Sequence, residues 1–286
     1  MKKEIDMRQK RIKKVLQWTL LSLTALSAAE MSQEEIAKAT QNPLTAMYSV
    51  PIQNNTYFNA GPLGQTKNVA NVQPVIPIDF NDEWTLVTRT IMPVTSLPSG
   101  MTKRPYIGID DDAQFGLGDT TFTAFFTPKD TSGSEWLWGA GPVFYLPTAT
   151  NDSLGTKKWG AGPAFVALKM EGKWVYGSLL MHVWSFAGAG QSEGIDKVNM
   201  TTFQPFVNYN LDDGWFVASV PLITANWEAD HDNRWTVPLG LGVGRAMKFG
   251  SIPGTAQIHG YYNVEKPDNG GEDWQLRVQV QFLFPR

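Results

Sequence analysis

Cysteine is absent from this sequence of 286 residues. No disulfide framework is open to it, although neither an oxidising nor a reducing compartment is excluded. Long apolar runs are absent too: outside residues 1–29, nothing approaches the ~20 apolar residues of a transmembrane helix. Helix starts are scarce. The convincing one is Ser32-Gln33-Glu34-Glu35 ahead of IAKATQ, a capping-box pattern that predicts a short helix stopping at Asn42-Pro43.

Signatures of chemistry are equally thin. Gly190-Gln191-Ser192-Glu193-Gly194 matches the nucleophile-elbow spacing, but that motif needs a strand-to-helix turn, and here a Gly-rich loop surrounds it. Asp110-Asp111-Asp112 lacks the spacing of a calcium-binding loop and reads as a solvated acidic segment. WGAGPVF (138–144) and WGAGPAF (159–165) repeat without a helix behind either copy, so they are hairpin-scale glycine bends and not nucleotide loops. No cofactor and no metal is expected.

What is present begins with a leader. Seven Lys or Arg within residues 1–14 precede the mostly apolar run Val15 to Ala25, followed by Ser27-Ala28-Ala29. This is the pattern of a secretory signal peptide over residues 1–29, cleaved after Ala29, with an N-terminal membrane anchor as the alternative and Met7 as a second candidate start. Removal of residues 1–29 leaves 17 basic against 25 acidic residues, a formal charge of −8. An acidic exported protein is a poor partner for nucleic acid.

The rest reads as twelve strands of about 11 to 15 residues, far longer than the usual soluble strand. They fall near 46–58, 67–79, 84–95, 114–127, 135–147, 158–170, 173–187, 200–210, 215–227, 235–247, 254–265 and 274–284. Tight turns alternate with longer loops, as in outer-membrane barrels with short periplasmic turns and long external loops. Eight of the eleven tryptophans sit at strand ends, on both rims, where indole rings prefer the headgroup region. The last strand ends on an apolar ridge, Leu276, Val278, Val280, Phe282 and Phe284, with Arg277, Gln279 and Gln281 between and only Leu283 breaking the alternation. Lipid satisfies such a ridge. The predicted fold is an all-β, closed antiparallel transmembrane β-barrel of about twelve strands over residues 45–286, with a short helical segment at 30–44 that is a candidate plug.

The stretches PFVNYNLDDGW (205–215), ITANWEADHDNRWTVPLGLGVGR (223–245), YYNVEKPD (261–268) and DWQLRVQVQFLFPR (273–286) resemble a group of proteobacterial outer-membrane proteins. QPVIPIDFNDEWTLVTRTIMPV (73–94) is similar to their front half. The group carries the loose labels "neuromedin U" or phenol meta-pathway protein. The resemblance implies a transporter-like outer-membrane barrel, and it brings no catalytic residues.

Arginine is costly against lipid, so it fixes which side of its strand faces inward. By that rule Arg89 and Arg277 face the lumen. Parity adds Asn71 and Gln73, then Gln204, Asn208 and Asn210, then Gln279 and Gln281, giving a polar, amide-rich wall. On 173–187, Val175, Leu179, Met181 and Val183 are assigned to the outer face and His182 to the lumen. Arg245 shares the parity of Trp235, Leu239, Leu241 and Val243, which requires either a long side chain reaching the periplasmic rim or a bulge. The candidate solute pathway is therefore Arg89, Arg277, Asn71, Gln73, Gln279, Gln281, Asn208 and His182. The expected activity is passage of a small, aromatic or carboxylate-bearing solute across the outer membrane. A barrel-embedded lipase or deacylase and a structural or adhesive barrel are the alternatives. Expected partners are outer-membrane lipids, the barrel assembly machinery and the solute.

Overall fold

The computed structural model describes residues 31–286 except 62, 101–102, 105–107, 110–111, 132–133, 190–196 and 269, with backbone alone at 103–104 and 108–109. The expected leader, Asp110, Asp111 and the Gly190–Gly194 motif lie outside the described residues.

The helix α1 (Gln33–Gln41) starts where its capping box predicts. The Glu35 N–H donates to Ser32 Oγ at 3.2 Å and the Ser32 N–H donates back to Glu35 Oε2 at 2.8 Å, satisfying two otherwise orphaned donors. The Ser32 N–H and, at 2.9 Å, the Ser32 hydroxyl both donate to Glu35 Oε2 and hold its carboxyl below the usual carboxylate range. Pro43 disfavours helical backbone at Asn42, and Asn42 Oδ1 then accepts the Leu44 N–H at 2.8 Å to turn the chain.

The strands follow as β1 (Tyr48–Ala60), β2 (Gln65–Val72), β3 (Val75–Asp79), β4 (Trp84–Leu97), β5 (Lys103–Arg104), β6 (Gly108–Ile109), β7 (Gln114–Leu117), β8 (Thr120–Pro128), β9 (Trp136–Leu146), β10 (Lys158–Glu171), β11 (Trp174–Gly188), β12 (Asn199–Asn210), β13 (Trp215–Ser219), β14 (Ile223–Asn226), β15 (Trp235–Phe249), β16 (Ile252–Glu265) and β17 (Trp274–Phe284). β5 and β6 pair as a small ribbon of their own. The others form one antiparallel sheet that closes on itself, because β17 pairs with β1 from Tyr48↔Phe284 to Phe58↔Trp274. The result is a closed barrel of twelve staves, three of them interrupted. Closure removes the sheet edge, which lipid cannot hydrate.

The interruptions were not legible as breaks. β2–β3 parts at Gln73-Pro74, where Pro74 has no N–H to give, yet its carbonyl accepts the Thr90 N–H at 3.1 Å and the Gln73 N–H reaches Pro51 O at 2.9 Å. β7–β8 parts at Gly118, whose N–H reaches Pro93 O at 2.8 Å. β13–β14 parts at Val220-Pro221-Leu222 with no residue inserted: Ser219 still lies opposite Val207 and Ile223 opposite Phe203. The expected continuous strand 215–227 is thus two short ones around a proline.

Lipid and lumen faces follow from burial. Leu276, Val278 and Phe284 are exposed on the outer face of β17, while Gln275, Arg277, Gln281 and Leu283 are buried. Leu283, the residue that broke the alternation, is the seat of α1: it packs with Ile36, Ala37 and Ala246. Six tryptophans, Trp84, Trp136, Trp174, Trp215, Trp235 and Trp274, are the first residues of their strands. They pair in the rims, Trp84 with Trp138 and Trp174 with Tyr209 at the end of the tight turns, Trp227 with Trp235 and Tyr262 with Trp274 at the other.

Three readings of the inner wall need correction or completion. On β11 it is Val175 and Leu179 that are buried, packed with Val87, Phe125, Val166 and Phe206, with Met181 and Val183 against them. Leu180, Trp184 and Phe186 are the exposed set, so His182 is on the outer face and not in the lumen. Both faces of β11 are apolar, so assigning the set Val175, Leu179, Met181 and Val183 to lipid puts His182 on the wrong side. The wall itself is polar along β1, β2, β16 and β17 but apolar from β8 to β11, where Phe125, Val143, Val166, Leu168 and Val175 form a packed interior. Arg245 takes the first of its two options. It is on the outer face, its Nε–H donates to Asp213 O at 3.3 Å, and its guanidinium lies 5.2 Å from the Trp215 ring at the β12–β13 turn. The bulge of β15 lies elsewhere, at Val237/Pro238.

Candidate functional site

The polar and apolar halves of the inner wall meet around one cavity of about 150 Å³. Its polar arc comes from β1, the β2–β3 break, β4, β16 and β17: Gln53, Gln73, Arg89, Gln257, His259, Arg277, Gln279 and Gln281. Its apolar arc is Leu179, Phe206, Phe216 and Val220, with Gln204 and Asn208 flanking Phe206 on β12, and Val75 lies opposite Arg89 within the polar arc. Thr40, Gln41, Asn42, Pro43 and Thr45, the end of α1 and the turn after it, complete the lining.

That last wall is not a strand. It is held to the barrel by side-chain amides. Gln41 Nε2 donates to Asn210 Oδ1 at 2.9 Å and Asn210 Nδ2 donates back to Gln41 Oε1 at 3.1 Å. Gln281 Nε2 reaches Thr40 O at 3.2 Å and Ser49 Oγ at 2.8 Å. Leu44 anchors the turn in the apolar interior beside Val75, Val87 and Phe125.

Six of the eight expected pathway residues come together here: Arg89, Arg277, Gln73, Gln279, Gln281 and Asn208. Asn71 shares their face, opposite Gln53 in the register, but is outside the cavity lining. His182 is elsewhere, on the outer wall. The two arginines differ. Arg277 is fixed: its Nε–H donates to Asn55 Oδ1 at 3.1 Å, its Nη1 to Val220 O at 2.8 Å, and its guanidinium lies 4.9 Å from the Tyr261 ring. Arg89 makes a single bond, Nη2 to Gln73 Oε1 at 2.5 Å. Among the described residues no carboxylate pairs with either.

Behind Arg277 runs a hydrogen-bonded chain. The Val220 N–H donates to the Tyr261 hydroxyl at 3.3 Å, that hydroxyl lies 3.0 Å from His259 Nδ1, and His259 Nε2 lies 3.1 Å from Gln257 Oε1. Asn55, 1 % exposed, accepts from Gln53, Gln275 and Arg277 at once. None of Asn55, Gln257, His259 or Tyr261 was singled out from the sequence. Their signal was there: on β16, Thr255, Gln257, His259, Tyr261 and Asn263 alternate with Ala256, Ile258, Gly260, Tyr262 and Val264.

On the outer wall His182 Nδ1 lies 2.7 Å from Thr201 Oγ1, which also takes the Trp227 Nε1–H at 2.8 Å. His182 Nε2 is buried without a partner. A hydroxyl–imidazole hydrolase needs a third group on that second nitrogen to orient the ring, and none is there among the described residues.

The fold defines the class: a twelve-stranded outer-membrane-type β-barrel with an occupied lumen. No protein-family model matches the chain, and no curated protein does. Among solved structures it is similar to the COG4313 outer membrane channel from Pseudomonas putida F1, with a TM-score of 0.57 at 16% identity over 83% of this chain and 94% of that one. More distant likenesses include the KdgM porin in complex with disordered oligogalacturonate (TM-score 0.41, 10% identity, 82% and 99% covered). The outer membrane phospholipase A from Escherichia coli is another (TM-score 0.44, 11% identity, 89% and 98% covered).

Proposed function

We propose that the protein is a Gram-negative outer-membrane channel, exported by its leader, that passes a small solute through a lumen narrowed by its own N-terminal segment. One observation carries the reading: a closed, lipid-faced barrel encloses a cavity lined by amides and two guanidiniums without counter-carboxylates, and one wall of that cavity belongs to a segment outside the sheet. Neutral amides hydrogen-bond a passing solute without trapping it, and inward charge sets selectivity in pores. Arg89 and Arg277 favour anionic and carboxylate-bearing solutes over cations. The resemblance to the transporter-like "neuromedin U" group and the similarity to the P. putida channel support the same reading.

The test is conductance in planar bilayers for the mature protein and for a deletion of residues 31–42. Conductance that rises on deletion is the expected result; silence of both forms overturns the channel. Phospholipid hydrolysis abolished by His182→Ala would establish the hydrolase instead.

A further inference from the structure

The cavity between the two halves of the wall has the composition of a binding site and not only of a passage. Buried charges in proteins are normally paired. Here two guanidiniums face one cavity, and among the described residues neither meets an acid. Arg277 spends its Nε–H and one Nη1–H on Asn55 and Val220 and its flat face on Tyr261. Of the five N–H donors of Arg89, one meets a protein acceptor. Arg89 is thus the group presented to a ligand, and Arg277 adds fixed positive field from the adjoining wall.

The opposite side of the same cavity is largely apolar: Phe206, Phe216 and Leu179 are buried and line it, with Gln204 and Asn208 flanking Phe206 along β12. The Phe216 ring depends on a glycine: a Cβ at Gly244 would stand 2.2 Å from its Cζ. The volume, about 150 Å³, is that of a cavity that accepts one benzene-sized molecule.

We infer that this cavity is a saturable binding station for a single small organic carboxylate with a compact apolar body, the carboxylate on Arg89 and the body against Phe206, Phe216 and Leu179. The inference rests on the channel reading for its biological sense, since the bound solute is the one in transit. It differs from simple anion selectivity because it requires both halves of the ligand: an ion of the same charge without an apolar body loses the second contact, and an uncharged ring loses the first.

The experiment is calorimetric titration of the full mature barrel in detergent with benzoate, cyclohexanecarboxylate, acetate, benzamide and inorganic phosphate, repeated with Arg89→Gln and Gly244→Ala. Heat-modifiable migration confirms folding of each variant. Benzoate and cyclohexanecarboxylate are expected to bind one per barrel. Benzamide, and benzoate on Arg89→Gln, are expected to be weaker by roughly tenfold or more, the scale of a charge-assisted hydrogen bond. Gly244→Ala, which pushes the Phe216 ring into the cavity, is expected to weaken the ring-bearing acids and spare acetate. Equal affinity for benzoate and benzamide, phosphate binding as tightly as benzoate, or no effect of Arg89→Gln would overturn the station. Binding does not depend on conduction, so benzoate binding by a silent barrel refutes the channel and leaves the site, whereas a conducting barrel that binds none of the acids refutes the site alone.

Discussion

Arg277 Nη1 donates to the carbonyl oxygen of Val220 at 2.8 Å. A lumen side chain on β17 thereby completes a backbone that β12 and β15 have let go. Unpaired backbone groups at membrane depth are tolerated only where they are buried in protein or line a wet cavity, and Val220 is served on both sides, by Arg277 at its carbonyl and by Tyr261 at its N–H. Three prolines, Pro205 on β12, Pro221 in the break and Pro238 on β15, withhold ladder donors from the same part of the wall. Arg277 is therefore structural as well as electrostatic, and the two inward arginines are not equivalent.

That inequality is measurable. Arg277→Ala leaves the Val220 carbonyl without its donor and is expected to cost about 1–3 kcal/mol, the penalty for an unsatisfied buried polar group. Arg89→Ala removes a side chain with one protein bond and is expected to cost less. The readout is the temperature at which the compact, heat-modifiable form is lost on gels. The same midpoint for both variants would mean that Arg277 does not repair the break.

The lipid-facing ridge gives a sharper contrast. Val278 is 43% exposed on the outer face of β17, and its neighbour Gln279 lines the cavity. Val278→Arg is expected to cost roughly 2–4 kcal/mol near the bilayer midplane and to lower the yield of assembled barrel. Gln279→Arg is expected to assemble normally. Comparable loss at both positions would show that this strand is not half in lipid.

Much of this was legible in the sequence because lipid on one side and water-like polarity on the other leave a strong period of two. β17 and β12 show it, and on each the residues assigned inward are the buried or cavity-lining ones, while on β4 the arginine alone set the sides and Arg89 lines the cavity. The N-terminal helix was legible because its capping box is a local signal. What failed was β11, where the lumen is filled by packed side chains and both faces are apolar, so alternation has no sign and His182 was assigned to the wrong side. Leu283 looked like an error in the pattern. It is the point where the wall meets α1, a long-range contact that no strand-by-strand reading can supply.

The helix seat makes a prediction of its own. Ile36 and Ala37 are buried against Ala246 and Leu283, and Gln41 is tied to Asn210 by a reciprocal amide pair. Ile36→Glu places a charge in that seat, where burial without a partner is unfavourable. The barrel itself keeps all its strand pairing. Normal heat-modifiable assembly with larger unitary conductance is expected, since the segment that walls the cavity is released. Unchanged conductance in a correctly assembled variant would show that the segment does not restrict the lumen.

Charge at the cavity should set the sign of ion selectivity. Arg89 is the inward cation least committed to the wall, with Gln73 its one protein partner, so its charge can be altered with the least structural consequence. The wild-type protein is expected to be anion-selective in a potassium chloride gradient. Arg89→Ala should move the reversal potential toward zero, and Arg89→Glu should carry it further, toward the cation side, because it replaces a positive charge by a negative one on the same arc. The acidic β14–β15 segment at one rim of the barrel, with Glu228, Asp230 and Asp232, works against anion entry, and high salt screens it within about 10 Å or less. A series in salt concentration therefore separates the two contributions: the rim charges fade as salt rises, while the effect of Arg89, enclosed among protein walls, persists. If the reversal potential is the same for wild type, Arg89→Ala and Arg89→Glu at high salt, the selectivity lies somewhere other than this cavity.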